Sequence, residues 1–511
     1  MDESTSVELI DVERQRALAE REVMLELQRA TLPVGLPVLP DLSVAAEYRP
    51  ADLPRSAGGD WFDVLSLPDG TLALIVGDVV GSGPLAAAVM GQLRAITAER
   101  LQRGNGLDEV LHALDAFATG LSGARGSTVC IAIVDRAVRS VQYAVRGHPA
   151  PLVAAADGAT RYLRDSAGPP LALRGTDHRL ATATLSPGDT LILYSDGAVE
   201  QPGRTMAQGM TDLSGRVSEA IRSQEPDERA LAALVCSAVS DLAASELRHD
   251  DVSVVAVTAM SAPPTVMTMS VPATADRLGP VRRQLSAWLS GLGATEDDLL
   301  ALELSVIEAV TNSVEHAFPG PPGTVRVNAT LSHDGTVVVV VSDDGRWKPP
   351  QRDPGFRGRG LIMMREFSDE IRLDPSASGT TVTLAKTLHR PVSLDGAAPP
   401  STRYIEQTDL QIDLQAGKEG VTMSVSGAVD SSSVDQLHAS LLDAGRGSLP
   451  LTIVLDAVTL LTSAGLRTLY EHASHLLTSG RRICLVAEEG TPARDVLAVS
   501  GLDRIVDVVG R

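Results

Sequence analysis

Four short acidic motifs, each set against an apolar run, constrain the first half of this chain more than any other feature. They are Gly-Gly-Asp60-Trp, Gly-Asp78-Val-Val-Gly, Tyr-Ser-Asp196-Gly and His-Asp250-Asp251-Val-Ser. Glycine beside the first three carboxylates permits tight turns and close backbone approach, so the strand ends that carry them can converge. Brought together unpaired, the carboxylates would repel one another and their pKa values would rise. Two hard divalent ions, magnesium or manganese, relieve that repulsion and are the natural occupants. Ions held this way activate a bridging water and neutralise a phosphoryl oxygen during in-line attack. A lone Asp-Gly usually caps a turn; four such motifs in order, each flanking an apolar run, call for another explanation.

With 511 residues the chain is too long for one core, and length alone predicts three or four domains. Residues 8–32 read as a charged helix with Leu18, Leu25 and Leu32 at heptad spacing. Such a helix either pairs two copies into a homodimer or is a solvated lead-in. Pro33, Pro37 and Pro40 end it, so residues 1–40 precede the first domain. From 41 to 258, strand candidates Leu72–Val76, Val129–Val134, Val141–Ala144, Thr190–Tyr194 and Val252–Val257 combine with helix candidates Pro84–Leu101 and Glu228–Leu242. Their segregation predicts an α+β layered domain. A linker at 259–268 contains two prolines. A second domain at 269–388 reads as helix, helix, strands, loop, helix and strand. A proline-rich linker at 389–403 leads to a compact α/β segment at 404–511.

The formal charge of −21 argues against a nucleic-acid partner. A hydrophobic content of 44% is ample for several cores, which only 3% aromatic residues leave to aliphatic side chains and alanine. Cys130, Cys236 and Cys484 lie in apolar stretches without CxxC spacing and read as buried small hydrophobes in a reducing compartment. No run resembles a signal peptide, and none of about 20 apolar residues could span a bilayer. These features predict a cytoplasmic protein with no membrane partner.

The second domain carries its own constellation. A helix predicted at Leu299–Ala317 places Glu308, Asn312 and His316 four residues apart on one face, with Leu300, Leu304, Ile307, Val310 and Val314 turned to the core. Val-Ser-Asp343-Asp344-Gly345, Gly358-Arg-Gly360-Leu and Gly379-Thr380 follow. Glycines there let backbone amides approach phosphates, and a helix starting near Leu361 offers its positive end to an anion. In the last segment, strand Leu451–Leu455 leads to Thr462-Ser463-Ala464-Gly465, which opens an amphipathic helix. A Ser or Thr there is a natural helix N-cap.

Across nearly the whole of 41–258 the sequence resembles the SpoIIE-type branch of the metal-dependent (PPM) protein phosphatases. The motifs above, with Arg146-Gly-His148-Pro-Ala-Pro-Leu between them, stand in that family's order. The resemblance implies Asp60, Asp78, Asp196 and Asp250 as metal ligands, Asp250 being favoured over Asp251, with the carbonyl of Val79 in addition. His148 is either a general acid or, as Gly-His-Pro turns more commonly have it, structural. The segment with Glu308-Ala-Val-Thr-Asn312-Ser-Val-Glu-His316-Ala-Phe resembles the GHKL (Bergerat-fold) ATPases, specifically the serine kinases that act as anti-sigma factors. That implies ATP with magnesium on Asn312, adenine recognition by Asp343, and phosphate or lid contacts from Gly345, Gly358, Gly360 and Thr380. Glu308 would be the general base that takes a serine proton. Trp347-Lys-Pro-Pro makes the lid region proline-rich, and active-kinase and ATP-binding-only readings both survive it.

The C-terminal segment resembles the STAS domains of anti-sigma factor antagonists, with Ser463 at the phosphorylated serine. Where that family has Asp-Ser-Ser-Gly, this chain has Thr-Ser-Ala-Gly. The three resemblances imply a multidomain α/β and α+β chain: a PPM-type β-sandwich flanked by helices, a Bergerat-fold ATPase α/β sandwich and a STAS α/β domain. They also imply a bacterial partner-switching regulator. A kinase module phosphorylates a STAS serine, Ser463 or one on a separate protein, and the phosphatase removes the phosphate. A sigma factor or anti-sigma factor is the downstream partner. The alternative is that only the phosphatase turns over, the other two modules being binding switches.

Overall fold

The computed structural model describes residues 32–33, 35–51, 58–173, 179–200, 203–223, 228–242, 250–261, 265–318, 320–346, 359–376, 378–394, 409–417, 420–446, 449–502 and 505–510. Residues 8–31 of the expected lead-in helix, Leu18 and Leu25 among them, lie outside the described residues, as do Trp347 and Gly358, while Leu32 is buried in the first unit's core. The chain divides into two units: residues 1–263 with 333–335 and 389–401, and residues 264–332 with 336–388 and 402–511.

In the first unit, strand Leu72–Asp78 explains the layering. Leu72, Leu74 and Val76 point into a core shared with Val255 and Val257 of strand Val252–Ala259. Ala73 and Ile75 point the other way, under Met90 and Leu93 of helix Pro84–Gln102 and Leu111 and Leu114 of helix Leu107–Gly120. A strand apolar on both sides is one covered on both faces, and the result is two packed sheets with helices outside each. One sheet runs Trp61–Ser66, Leu72–Asp78, Thr128–Asp135, Ser140–Arg146 and Ala181–Thr184. The other runs Ser393–Leu394, Leu42–Arg49, Val252–Ala259, Thr190–Tyr194, Leu152–Ala154 and Thr160–Tyr162. Helices Met206–Arg222 and Glu228–Leu242 cover its outer face through Leu213, Val217, Val235 and Val239.

The second unit holds two further sheets. An antiparallel one has the order Val266–Pro272, Thr324–Leu331, Thr336–Asp343, Gly379–Thr387, Glu370–Ser376, with helices Leu278–Leu292, Glu296–Asn312 and Arg359–Phe367. A mixed sheet pairs Gln411–Ala416 antiparallel with Val421–Val429, after which Leu451–Leu461, Ile483–Val486 and Asp507–Val509 are parallel. Helices Val434–Ala444, Ser463–Thr478 and Pro492–Ser500 lie between these strands in sequence.

Several expectations are corrected. The first domain has four long helices among the described residues, not two, because Leu107–Gly120 and Met206–Arg222 also fold. The second domain opens on a strand, since Val266–Pro272 takes residues 266–268 from the expected linker and pairs with Thr324–Leu331. Part of the second linker is strand as well: Ser393–Leu394 pairs with Leu42–Arg49. Cys130 and Cys236 are buried, whereas Cys484 is only half-buried. No helix among the described residues is long and apolar enough to cross a membrane.

Candidate functional site

The first-unit site begins with backbone crowding. A Cβ on Gly58 would lie 1.3 Å from Oδ2 of Asp251, and one on Gly59 would lie 2.1 Å from the Val79 carbonyl oxygen. Only glycine lets the loop before Asp60 press against the end of strand Leu72–Asp78, where the Val79 amide donates to the Gly59 carbonyl at 3.1 Å. That approach brings carboxylate oxygens of Asp60, Asp78 and Asp196 within 4.8 Å of one another. Asp60 Oδ2 and Asp196 Oδ1 are buried with no hydrogen-bond partner. Burial, then the charges of Asp196 and Asp250, push Asp78 up to about 8. Burial and Asp250 push Asp196 up to about 6, and burial with the charge of Asp78 raises Asp60 well above the ordinary carboxylate range. Acids in this state fit a divalent cation, which supplies the missing partner and removes the repulsion.

Asp250 and Asp251 play different parts. Asp251 is buried, accepts from Tyr48 Oη, and accepts from the Ala51 amide at 2.8 Å. Its oxygens are thus committed to holding strand ends together. Asp250 is exposed and stands outside the close trio, although its charge reaches Asp78 and Asp196. His148 is buried, with Nδ1 2.8 Å from Thr128 Oγ1, and burial lowers its pKa to about 3. A neutral ring at physiological pH fits the structural reading, not a general acid.

In the second unit, Glu308 sits in helix Glu296–Asn312, buried on nearly all sides from Ala301 to Thr311. Its carboxylate grips one residue at two points. Oε1 accepts from the Ser463 amide at 2.5 Å, and Oε2 accepts from the Ser463 hydroxyl at 2.7 Å. Ser463 is the first residue of helix Ser463–Thr478, so its amide is a helix-end donor without an intrahelical partner. Thr462 occupies the N-cap position, but its hydroxyl donates to the Val429 carbonyl at 3.1 Å instead of capping. Ser463 is therefore not the cap that a lone Ser or Thr would suggest. Burial pushes Glu308 up to about 7, with the two Ser463 hydrogen bonds acting against it. A Cβ on Gly360 would lie 2.5 Å from Glu308 Oε2, so glycine there leaves room for the carboxylate.

Around this contact, Arg282 Nη1 meets Asp430 Oδ2 at 3.2 Å, with both side chains buried. Asp343 is fixed by three donors: Ser313 Oγ at 2.8 Å, the Gly345 amide at 3.0 Å and the Thr380 amide at 3.2 Å. Gly345 packs so tightly that a Cβ would lie 2.5 Å from Ala317. Asn312 ends the α-helix half-buried, and Ser313–Ala317 forms a π turn. The expected α-helix to Ala317 is corrected accordingly: His316 is carried out to solvent, away from buried Glu308.

Residues 68–259 match the family model described as Stage II sporulation protein E (SpoIIE). Residues 271–386 match the histidine kinase-like ATPase domain, and 412–509 the Mlab, STAS domain. The anti-sigma F factor of Heyndrickxia coagulans is 32% identical over 120 residues, covering 21% of this chain and 82% of that protein. The serine-protein kinase RsbW of Bacillus subtilis is 32% identical over 137 residues, covering 24% and 84%. The crystal structure of the RsbU and RsbW domains of Rv1364c from Mycobacterium tuberculosis superposes with a TM-score of 0.64 at 33% identity. It covers 71% of this chain and 98% of that one. The chain belongs to the RsbU–RsbW family of fused phosphatase and kinase domains. As an RsbU–RsbW member it is a PPM-class protein-serine/threonine phosphatase joined to a serine-kinase-type ATPase domain and a STAS domain. Within this RsbU–RsbW framework, sequence motifs had marked both Glu308 and Ser463. They had not marked Arg282 or Asp430 as a pair, since a single arginine and a single aspartate so far apart carry no local signal.

Proposed function

We propose that this chain runs a phosphorylation cycle on STAS serines, its own Ser463 foremost, and so sets the availability of a sigma factor or anti-sigma factor. The contact between Glu308 and Ser463 carries this reading. In the forward step, Glu308 takes the Ser463 Oγ proton as that oxygen bonds to the γ-phosphorus of ATP. The bond from that phosphorus to the β–γ bridging oxygen breaks, and ADP leaves. A base near neutrality and 2.7 Å from the hydroxyl is suited to that transfer. Asn312 would hold magnesium, Asp343 would accept from the adenine amino group, and Gly345, Gly360 and Thr380 would bound the nucleotide. Gly358 belongs to the same expectation but lies outside the described residues.

For the reverse step, Asp60, Asp78 and Asp196, with Asp250 and the Val79 carbonyl, would hold manganese or magnesium. Bound there, the ions supply an activated water and charge neutralisation. Hydrolysis of phosphoserine at that site would return the serine hydroxyl and release inorganic phosphate. The downstream partner is inferred from relatives named anti-sigma F factor and serine-protein kinase RsbW.

A second reading, in which the ATPase and STAS modules form a binding switch, draws on the buried Arg282–Asp430 pair. Mass spectrometry of full chains incubated with ATP and magnesium separates the two. Phosphoserine at Ser463 should accumulate in Asp196→Ala and be absent in Glu308→Ala. No label in either variant would sink the cycle and leave the binding switch.

A further inference from the structure

We propose that Glu315 is the residue by which the ATPase domain selects its acceptor domain, favouring one with a cation four residues after the acceptor serine. The proposal rests on Ser463 being the acceptor. Glu315 stands on the π turn Ser313–Ala317. Its Oε1 accepts from Ser431 Oγ at 2.9 Å, and its Oε2 lies 3.9 Å from Arg467 Nη1. Ser463 and Arg467 are four residues apart on one helix, so they share a face. Whatever places the Ser463 hydroxyl on Glu308 therefore also places residue 467 near Glu315.

The sign of this pair matters because it is crossed with the other charged contact. At Arg282–Asp430 the ATPase side is positive and the acceptor side negative; at Glu315–Arg467 the signs are reversed. An acceptor shifted or rotated on this face would set like charges together, a means of rejecting wrong partners. The buried pair anchors the domain. The part-exposed pair discriminates, because Glu315 can meet water when its partner is wrong and so filters without abolishing docking. The same charges also reach the base, Glu315 raising the pKa of Glu308 and Arg467 lowering it.

The test uses the full chain in an Asp196→Ala background, so that phosphate is retained. Two quantities are read: the single-turnover rate of phosphoserine formation at Ser463, and amide hydrogen exchange across 463–467. Glu315→Arg and Arg467→Glu should each slow phosphorylation by about tenfold and speed exchange, while Glu315→Gln slows it about threefold, as a part-exposed pair allows. The double variant Glu315→Arg/Arg467→Glu should recover both readouts to within about twofold of the parent. Single variants that behave as the parent, or a double variant no better than the worse single, would overturn the proposal. If the parent forms no phosphoserine at Ser463, the phosphotransfer reading fails. The exchange measurements still decide for or against Glu315, because they report docking without chemistry.

Discussion

Folding forces Asp60, Asp78 and Asp196 into mutual repulsion at a cost that depends on pH. Their folded pKa values lie above the ordinary carboxylate range, to about 8 for Asp78 and about 6 for Asp196. The unfolded chain therefore gives up these protons at lower pH than the folded one. The stability contribution is fully present below about pH 4 and is lost as pH rises through 6 to 8. Calorimetry of the metal-stripped chain should show the phosphatase transition falling in temperature from pH 5 to pH 8. Added manganese should raise it more at pH 8 than at pH 5; a metal-free transition that does not move with pH would count against the cluster. Glu308 gives the complementary kinetic case. As the proposed base it would act only when ionised, so Ser463 phosphorylation should rise about tenfold per unit below pH 7 and level off above it. A flat profile from pH 5.5 to 8 would remove Glu308 from that role.

Strand ends and helix ends carry the rest of the geometry, and their glycines make it testable. Gly59→Ala forces the loop off the Val79 carbonyl and should weaken manganese binding by at least about tenfold in titration calorimetry, with no ligand altered. Arg282→Ala leaves Asp430 buried without its cation and should cost about 3 kcal/mol of docking, read as faster exchange at the Ser463 amide. These elements were unequally legible. Thr190–Tyr194 and Glu228–Leu242 emerged with the expected bounds because apolar runs and turn residues bracket them. Helix Met206–Arg222 was missed although Leu213, Val217 and Ile221 recur at four-residue spacing and the capping box of Thr205 and Gln208 marks its start. Leu107–Gly120 lacks even that, since Gly106 offers no capping side chain. The aspartate motifs were readable because each is local. The grip of Glu308 on Ser463 belongs to no motif, since the two are 155 residues apart, and only the resemblance of the two segments to a kinase and its STAS substrate implied that they would meet.

For the chain as a whole, fusion changes the kinetics of the switch. Under the proposed cycle, an acceptor on the same polypeptide would meet its kinase at an effective concentration in about the millimolar range, whatever the bulk concentration. The fraction of Ser463 phosphorylated per unit time in Asp196→Ala should thus be unchanged on hundredfold dilution. A rate falling in proportion to dilution would make the reaction intermolecular. The RsbW kinase of Bacillus subtilis matches 24% of this chain, and residues 68–259 match the SpoIIE model, so the two domains come in fixed stoichiometry.

The π turn at Ser313–Ala317 has one more consequence, for lineages that gain or lose a residue. A π turn holds one residue more per hydrogen-bonded loop than an α turn. Removing one residue there would let the α-helix run on, swinging everything beyond it by about 100° around the axis. Glu315 could then no longer reach Ser431 and Arg467, whereas Ser313, already bonded back to the Ala309 carbonyl, would keep its place. A single-codon deletion would thus strip away the contacts of Glu315 while leaving both Glu308 and Ser463 intact.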